Sequence, residues 1–132
     1  MQKVLEFLCH NKEVAFATVE DNKPKIRVFQ IMKISETTLY FATSPYKEVY
    51  RQLQNNPNVE LLGMGGNISV RIIGSVVFDV PQSVCIEIFE TNEVLPRLYP
   101  AYKSLVYFCL HIREADYYDL NPNPPLFKHY EQ

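Results

Sequence analysis

The side chains best suited to chemistry in this sequence are cations and hydroxyls around one predicted strand-to-helix turn, and the chemistry they suit is holding a phosphate. The run Tyr40-Phe41-Ala42-Thr43-Ser44-Pro45-Tyr46-Lys47-Glu48-Val49-Tyr50 reads as a strand passing into a helix, with Ser44 as N-cap and Pro45 at the first helical position. Lys47 then stands in the first turn, where the helix dipole places about half a positive charge and repels a lysine unless an anion lies between them. Arg27 belongs to a predicted strand, Lys25 to Ile34, and reaches the same end of the sheet if the two strands pair. An isolated lysine at a helix start is more often a plain solvated side chain. The phosphate reading therefore leans on Arg27 and on the wider pattern of the chain, because guanidinium and ammonium donors together suit a phosphate.

Other reactive residue types are scattered. Cys9, Cys85 and Cys109 are odd in number and far apart, which suits buried free thiols rather than a redox or zinc motif. His10, His111 and His129 form no i, i+4 helical pair, so no metal site is expected.

The elements that must position the cations follow from composition and periodicity. A chain of 132 residues fits one domain, spanning 1–132, with a core that needs no disulfide or metal. Nine Tyr, eight Phe and no Trp within a 47% hydrophobic composition suit a compact β-rich protein. A net charge of -2 and a pI near 5.9 offer no basic footprint for nucleic acid. Lys3, Glu6 and His10 interrupt the first residues, so a signal peptide is not expected; nor does any apolar run approach membrane-spanning length, and a cytoplasmic location is the expectation.

Val4, Leu5, Phe7 and Leu8 mark a helix over about Gln2 to His10. Strands are predicted over Val14 to Val19 and Lys25 to Ile34, joined by a turn at Asp21-Asn22-Lys23-Pro24, and then over Thr38 to Thr43. After Ser44, the residues Tyr46, Val49, Tyr50 and Leu53 give one helix face, ended by Asn55-Asn56-Pro57. Strands follow at Asn58 to Met64 and Ile68 to Val80, where Gly74 permits a bend or bulge. Gln82 to Asn92 fits strand and helix alternation alike, with helix preferred, and Leu95 to Tyr102 continues helical spacing broken by Pro100. Ser104 to Ile112 and Ala115 to Leu120 read as a last hairpin, before a tail in which Leu126 and Phe127 dock. Without a repeated βαβ unit, this order predicts a small antiparallel β-barrel with flanking helices, an α+β class.

Several segments, in order, carry a family likeness: Val4-Leu5-Glu6-Phe7-Leu8, Phe16-Ala17-Thr18-Val19-Glu20, Lys23 through Phe29, Leu39 through Ser44, Lys47 through Leu53, Asn56 through Leu61 and Val70 through Val77. Together they resemble the FMN-binding split-barrel family related to pyridoxamine 5'-phosphate oxidase, in the short branch with nitroimidazole-reductase-like proteins. The resemblance implies a homodimer holding FMN at its interface. It puts Arg27 and the Ser44–Lys47 turn on the phosphate and the backbone of Val28, Phe29 and Gln30 along the isoalloxazine ring; Thr43, in the neighbouring strand end, and Ser44 could add hydroxyl donors to the two cations. Phe41, Ala42 and Thr43 fall in the neighbouring strand end, and Ser69 at a position where relatives carry a flavin-contacting side chain. Simple core packing is an equal alternative for Phe29 and Phe41.

The departures are Val28 and Gln30, where many short-branch relatives have Pro and Gly, and Ser69, where they often have Trp. Met32 aligns with the substrate lysine of true pyridoxamine 5'-phosphate oxidases, whose C-terminal Trp and Arg segment has no counterpart here. Oxidation of pyridoxamine phosphate itself is therefore not expected. The implied function is an FMN oxidoreductase passing electrons or hydride, with NAD(P)H as a candidate donor, to a small acceptor. The alternative is a non-catalytic flavin- or haem-binding or sensing protein, with His10 and His111 as candidate haem ligands. Tyr99, Tyr102 and His111 are candidates for the substrate side of the pocket. Tyrosines and strand histidines are nevertheless more often structural.

Overall fold

The computed structural model describes all residues, Met1–Gln132. In chain order the elements are α1 (Gln2–His10), β1 (Glu13–Glu20), β2 (Lys23–Gln30), β3 (Lys33–Ser35), β4 (Thr38–Thr43), α2 (Glu48–Asn55), β5 (Asn58–Gly65), β6 (Ile68–Val77), α3 (Gln82–Thr91), α4 (Leu95–Leu98), a 3₁₀ turn (Tyr102–Ser104), β7 (Val106–Asp119) and β8 (Leu126–Glu131). The eight strands form one antiparallel sheet in the order β2-β1-β5-β6-β7-β4-β3, and β8 adds to β7 beyond the stretch that pairs with β4.

The two ends of that order, β2 and β3, are consecutive in the chain and separated only by Ile31 and Met32. A sheet whose ends are joined by two residues must curl round on itself. Two bonds mark the seam: the Ile31 amide donates to the Lys12 carbonyl and the Met32 amide to the Tyr40 carbonyl, at 2.8 Å each. No strand ladder joins β2 to β3, so the expected barrel is split along this line rather than closed.

Inside the curl, alternation along the strands delivers Phe16, Phe29, Phe41 and Phe108 to one aromatic cluster, with Phe41 stacked on Phe108 at 5.4 Å. Val4, Phe7 and Leu8 of α1 cover part of this core. A smaller core lies where α3 and α4 pack over Ala42 and Tyr107. The ambiguous segment is thus helical, because Cys85 and Ile88 turn inward at helical spacing.

Three expectations are corrected. The β1–β2 turn is only Asp21-Asn22, both at positive φ, which lets Pro24 enter β2; proline is tolerated there because β2 is an edge strand. The last hairpin is instead one continuous strand, β7, whose true hairpin partner is β8. Arg113 is the extra residue at the register shift, opposite the step from Ile73 to Gly74. A Cβ at Gly74 would collide with the His111 carbonyl, so the close approach needs glycine. Finally, the strand expected over Lys25 to Ile34 is interrupted at Ile31-Met32 into β2 and β3, whereas the helical run after Leu95 breaks at Tyr99-Pro100 into α4 and the 3₁₀ turn as its proline predicts.

Candidate functional site

The strand-to-helix turn exists, but the helix begins later than its sequence suggests. Ser44-Pro45-Tyr46 form a turn closed by the Lys47 amide donating to the Ser44 carbonyl at 3.2 Å, and α2 starts at Glu48 with Lys47 as its N-cap residue. Ser44 is thus not the cap; its hydroxyl accepts from the Tyr46 amide at 3.3 Å inside the turn. The reason is local: that backbone bond satisfies Ser44 and Lys47 before the first helical turn forms. Two features at this corner stay unpaired. Lys47 is exposed and takes part in no ion pair. Thr43 Oγ1 is buried without a hydrogen-bond partner, a rare and costly condition for a hydroxyl.

Arg27 reaches this helix by another route than expected. β2 and β4 do not pair, since five strands lie between β2 and β3 in the sheet and β4 is among them. The curl instead brings Arg27 beneath α2, where its Nη1 donates to Thr18 Oγ1 at 2.8 Å and to the Phe16 carbonyl at 3.2 Å. Its Nη2 donates to Gln52 Oε1 at 2.6 Å. Thr18 and Gln52 are each only 1% exposed, and the Thr18 hydroxyl also donates to Gln52 Oε1 at 2.6 Å. Burial lowers the Arg27 pKa, with the nearby Glu48 charge acting the other way. Five donors serve a guanidinium, and three bonds are made here, so the Nε–H and one Nη2–H remain without an internal partner. Lys47 at the start of α2 and Arg27 under its second turn thus belong to one helix.

The remaining residues divide. Phe29 and Phe41 point inward and belong to the aromatic core, so their side chains are packing groups. Val28 faces outward from the edge strand, 70% exposed, and Ala42 lies in the smaller core. The Gln30 side chain accepts from Asn92 Nδ2 at 3.3 Å. Ser69 is not with the cations: it lies on the outer face of the sheet in a cavity of about 300 Å³ with Leu62, Arg71, Asp116, Tyr118 and Phe127. Among the other candidates, His10 turns its Nδ1 to the Glu6 carbonyl, and His111 Nδ1 lies 3.1 Å from Thr38 Oγ1. Tyr102 accepts from Gln82 through its hydroxyl and from the Tyr107 hydroxyl through its carbonyl. Of the cysteines, Cys85 and Cys109 are buried as expected, whereas Cys9 is exposed on α1.

Sequence reasoning missed Gln52 and the charged cluster beside Ser69. Gln52 left a signal, since it sits between Val49 and Leu53 on the buried face of α2, where a polar residue demands a partner. The cluster has no local signal because β6, β7 and β8 assemble it. Asp116 accepts from Arg71 Nε at 3.0 Å and lies 2.5 Å from His129 Nδ1, while His129 Nε2 lies 3.1 Å from Glu131 Oε1. Carboxylates on both ring nitrogens require both to be donors, which is the imidazolium.

Accordingly the hydrogen bond to Asp116, then that to Glu131, raises the His129 pKa above 6.5. Burial pushes the Asp116 carboxyl upward, but its bonds with His129 and Arg71 outweigh this and hold it below 3.8. The His129 contribution to stability is complete below pH 6.5 and is lost as pH rises through its higher folded value. The Asp116 contribution is complete above pH 3.8 and is lost as pH falls through its lower folded value. Melting temperature should therefore decline from pH 6 to pH 9 more steeply in the parent protein than in His129→Gln. Parallel profiles would show that the imidazolium adds nothing.

Comparison with known proteins gives the site its context. The family described as "Pyridoxamine 5'-phosphate oxidase" matches residues 1–89. General stress protein 26 of Bacillus subtilis (strain 168) is 38% identical over 61 residues, which cover 46% of this chain and 43% of that protein, so the match spans less than half of either. Among solved structures, a NimC/NimA family protein from Clostridium acetobutylicum superposes with a TM-score of 0.83 at 23% identity, covering 100% of this chain and 92% of that one. A pyridoxamine 5'-phosphate oxidase-related, FMN-binding protein from Nostoc punctiforme PCC 73102 does so with a TM-score of 0.83 at 17% identity, covering 99% and 89%. These structural likenesses establish the split-barrel fold.

Proposed function

Because the chain belongs to the pyridoxamine 5'-phosphate oxidase family, matched over its first 89 residues, we propose that it is an FMN-binding flavoprotein acting as an oxidoreductase on a small acceptor. The observations that carry this reading are the buried, unsatisfied Thr43 hydroxyl at the end of β4 and the unpaired Lys47 at the start of α2, the helix under which Arg27 lies. A buried hydroxyl without a partner, a free ammonium and two spare guanidinium N–H groups suit a phosphate. FMN would supply the electron or hydride transfer; the protein's share is to hold and orient it. Met32 carries no charge for a substrate phosphate, and the chain has no Trp, which argues against oxidation of pyridoxamine phosphate.

The separation of Ser69 from the phosphate corner supports a composite site in a homodimer, with the phosphate held by one copy and the ring reaching the outer sheet face of the other. That face has the apolar character a partner copy would cover: Ile26 and Met64 are 71% exposed and Phe127 59%.

Purified protein should be yellow, bind one FMN per chain and run as a dimer in light scattering. NADH or NADPH under anaerobic conditions should bleach the colour. A colourless protein that FMN does not saturate would overturn the flavoprotein reading, and colour that never bleaches with any nicotinamide would make it a passive carrier.

A further inference from the structure

Strands β7 and β8 set an imidazole and two carboxylates together on the outer face of the sheet. In their antiparallel register Glu114 pairs with Glu131 and Asp116 with His129, so all four side chains project from one side. One oxygen of the buried Asp116 lies 2.5 Å from His129 Nδ1, and the other accepts from Arg71 Nε at 3.0 Å. Asp116 therefore pins the ring and turns Nε2 toward the two glutamates. From Nε2, Glu131 Oε1 stands at 3.1 Å and Glu114 Oε1 at 3.6 Å. One ligand atom from each of the three residues lies within 4.8 Å of the others. Two ligand atoms about 2.1 Å from a shared tetrahedral ion are separated by about 3.4 Å, which the two measured distances bracket.

The sheet itself favours a cation at this point. Glutamates directly opposite each other across a ladder repel, and Glu114 and Glu131 are such a pair. Arg113 stands 3.9 Å from the far oxygen of Glu114, and Arg71 is engaged by Asp116 and Glu60, so the His129 ring is what bridges the two glutamates. The Gln132 amide, donating to the Arg113 carbonyl at 2.9 Å, holds the last turn of the ladder in place and fixes Glu131 opposite its partner.

We propose that Glu114, His129 and Glu131 form a divalent metal site of the zinc class, with Asp116 as the carboxylate that orients the ligating imidazole. The ion takes the place of the Nε2 proton, which leaves to solvent, and water fills its remaining coordination positions. Two carboxylates cancel the charge of a dication beside a neutral imidazole. A nitrogen ligand in the set suits zinc better than magnesium, which prefers oxygen ligands and keeps its waters. Such an ion clips β8 to β7 and stabilises the fold. The scattered histidines of the sequence give no hint of the site, because the set is assembled across two strands. The inference stands apart from the flavoprotein reading.

The test is calorimetric titration of the full chain, first dialysed against EDTA and then freed of it, with zinc chloride. One ion per chain is expected, and the zinc-saturated protein should melt about 5 °C or more above the metal-free one. His129→Gln and Glu131→Gln should each weaken zinc binding by about tenfold or more, and magnesium chloride should bind about a hundredfold or more weakly than zinc. Cys9→Ser should bind zinc as the parent does, which separates the site from the exposed thiol and imidazole of Cys9 and His10 on α1. Circular dichroism checks that each variant folds, and Glu131, whose side chain is 71% exposed, keeps the test open should His129→Gln fail to fold. No saturable zinc binding, unchanged affinity in either folded variant, magnesium binding as tight as zinc, or loss of binding in Cys9→Ser would overturn the inference.

Discussion

Replacing Lys47 with Ala should weaken FMN binding by roughly 10- to 150-fold and leave the melting temperature almost unchanged, whereas Arg27→Ala should damage both. The contrast follows from what each cation touches. Lys47 is exposed at the start of α2 with no internal partner, so in the proposed site its removal would cost one charge-assisted contact to the FMN phosphate, about 1.5–3 kcal/mol, and little else. Arg27 donates to Thr18, Gln52 and the Phe16 carbonyl beneath the same helix. Truncating it strips a charged donor from Gln52, whose side chain is buried, and adds roughly 1–3 kcal/mol of lost folding stability to a similar loss of affinity. Flavin fluorescence titration and thermal melts of the two variants read these effects separately. Unchanged FMN affinity in either variant would remove that residue from the phosphate site.

Phe41→Ala should be the most destabilising single change considered. Phe41 is fully buried, stacked on Phe108 and edge-on to Phe16 and Phe29, so its loss opens a cavity at the centre of the curl. Phe-to-Ala changes in such settings cost about 3–5 kcal/mol. For a domain of this length that corresponds to a fall in melting temperature of roughly 10–18 °C. FMN affinity, measured well below the melt, should fall less than in Lys47→Ala, because the ring packs inward. A loss of affinity larger than that of Lys47→Ala at intact fold would return Phe41 to the wall of the cofactor pocket.

These two results would mark how far the sequence could be read. Strand and helix positions were legible wherever alternation was clean, as in Val14, Phe16 and Thr18 or Val4, Phe7 and Leu8, because burial there follows the local period. The union of β7 was not, since the sequence around Arg113 and Glu114 shows a polar break where the sheet places a bulge that keeps the strand running. At the site, the residue types were legible and their partners were not. Arg27 advertises a cation, but nothing near it in sequence announces that Gln52, twenty-five positions later, will claim part of its donor capacity. Ser69 and Lys47 come from separate stretches, and the distance between them becomes meaningful only once the sheet has curled.

That curl also imposes a counting rule on the chain. Gln30 faces outward, Ile31 is buried in the main core, and Met32 lies against the smaller core under α3 and α4. One residue added or lost between Gln30 and Lys33 would exchange these destinations, sending an aliphatic side chain out to solvent and a thioether in among the phenyl rings. Length variation can therefore be absorbed at the hairpin tips around Asp21 and Glu36, but the two-residue span at the seam has a fixed tally.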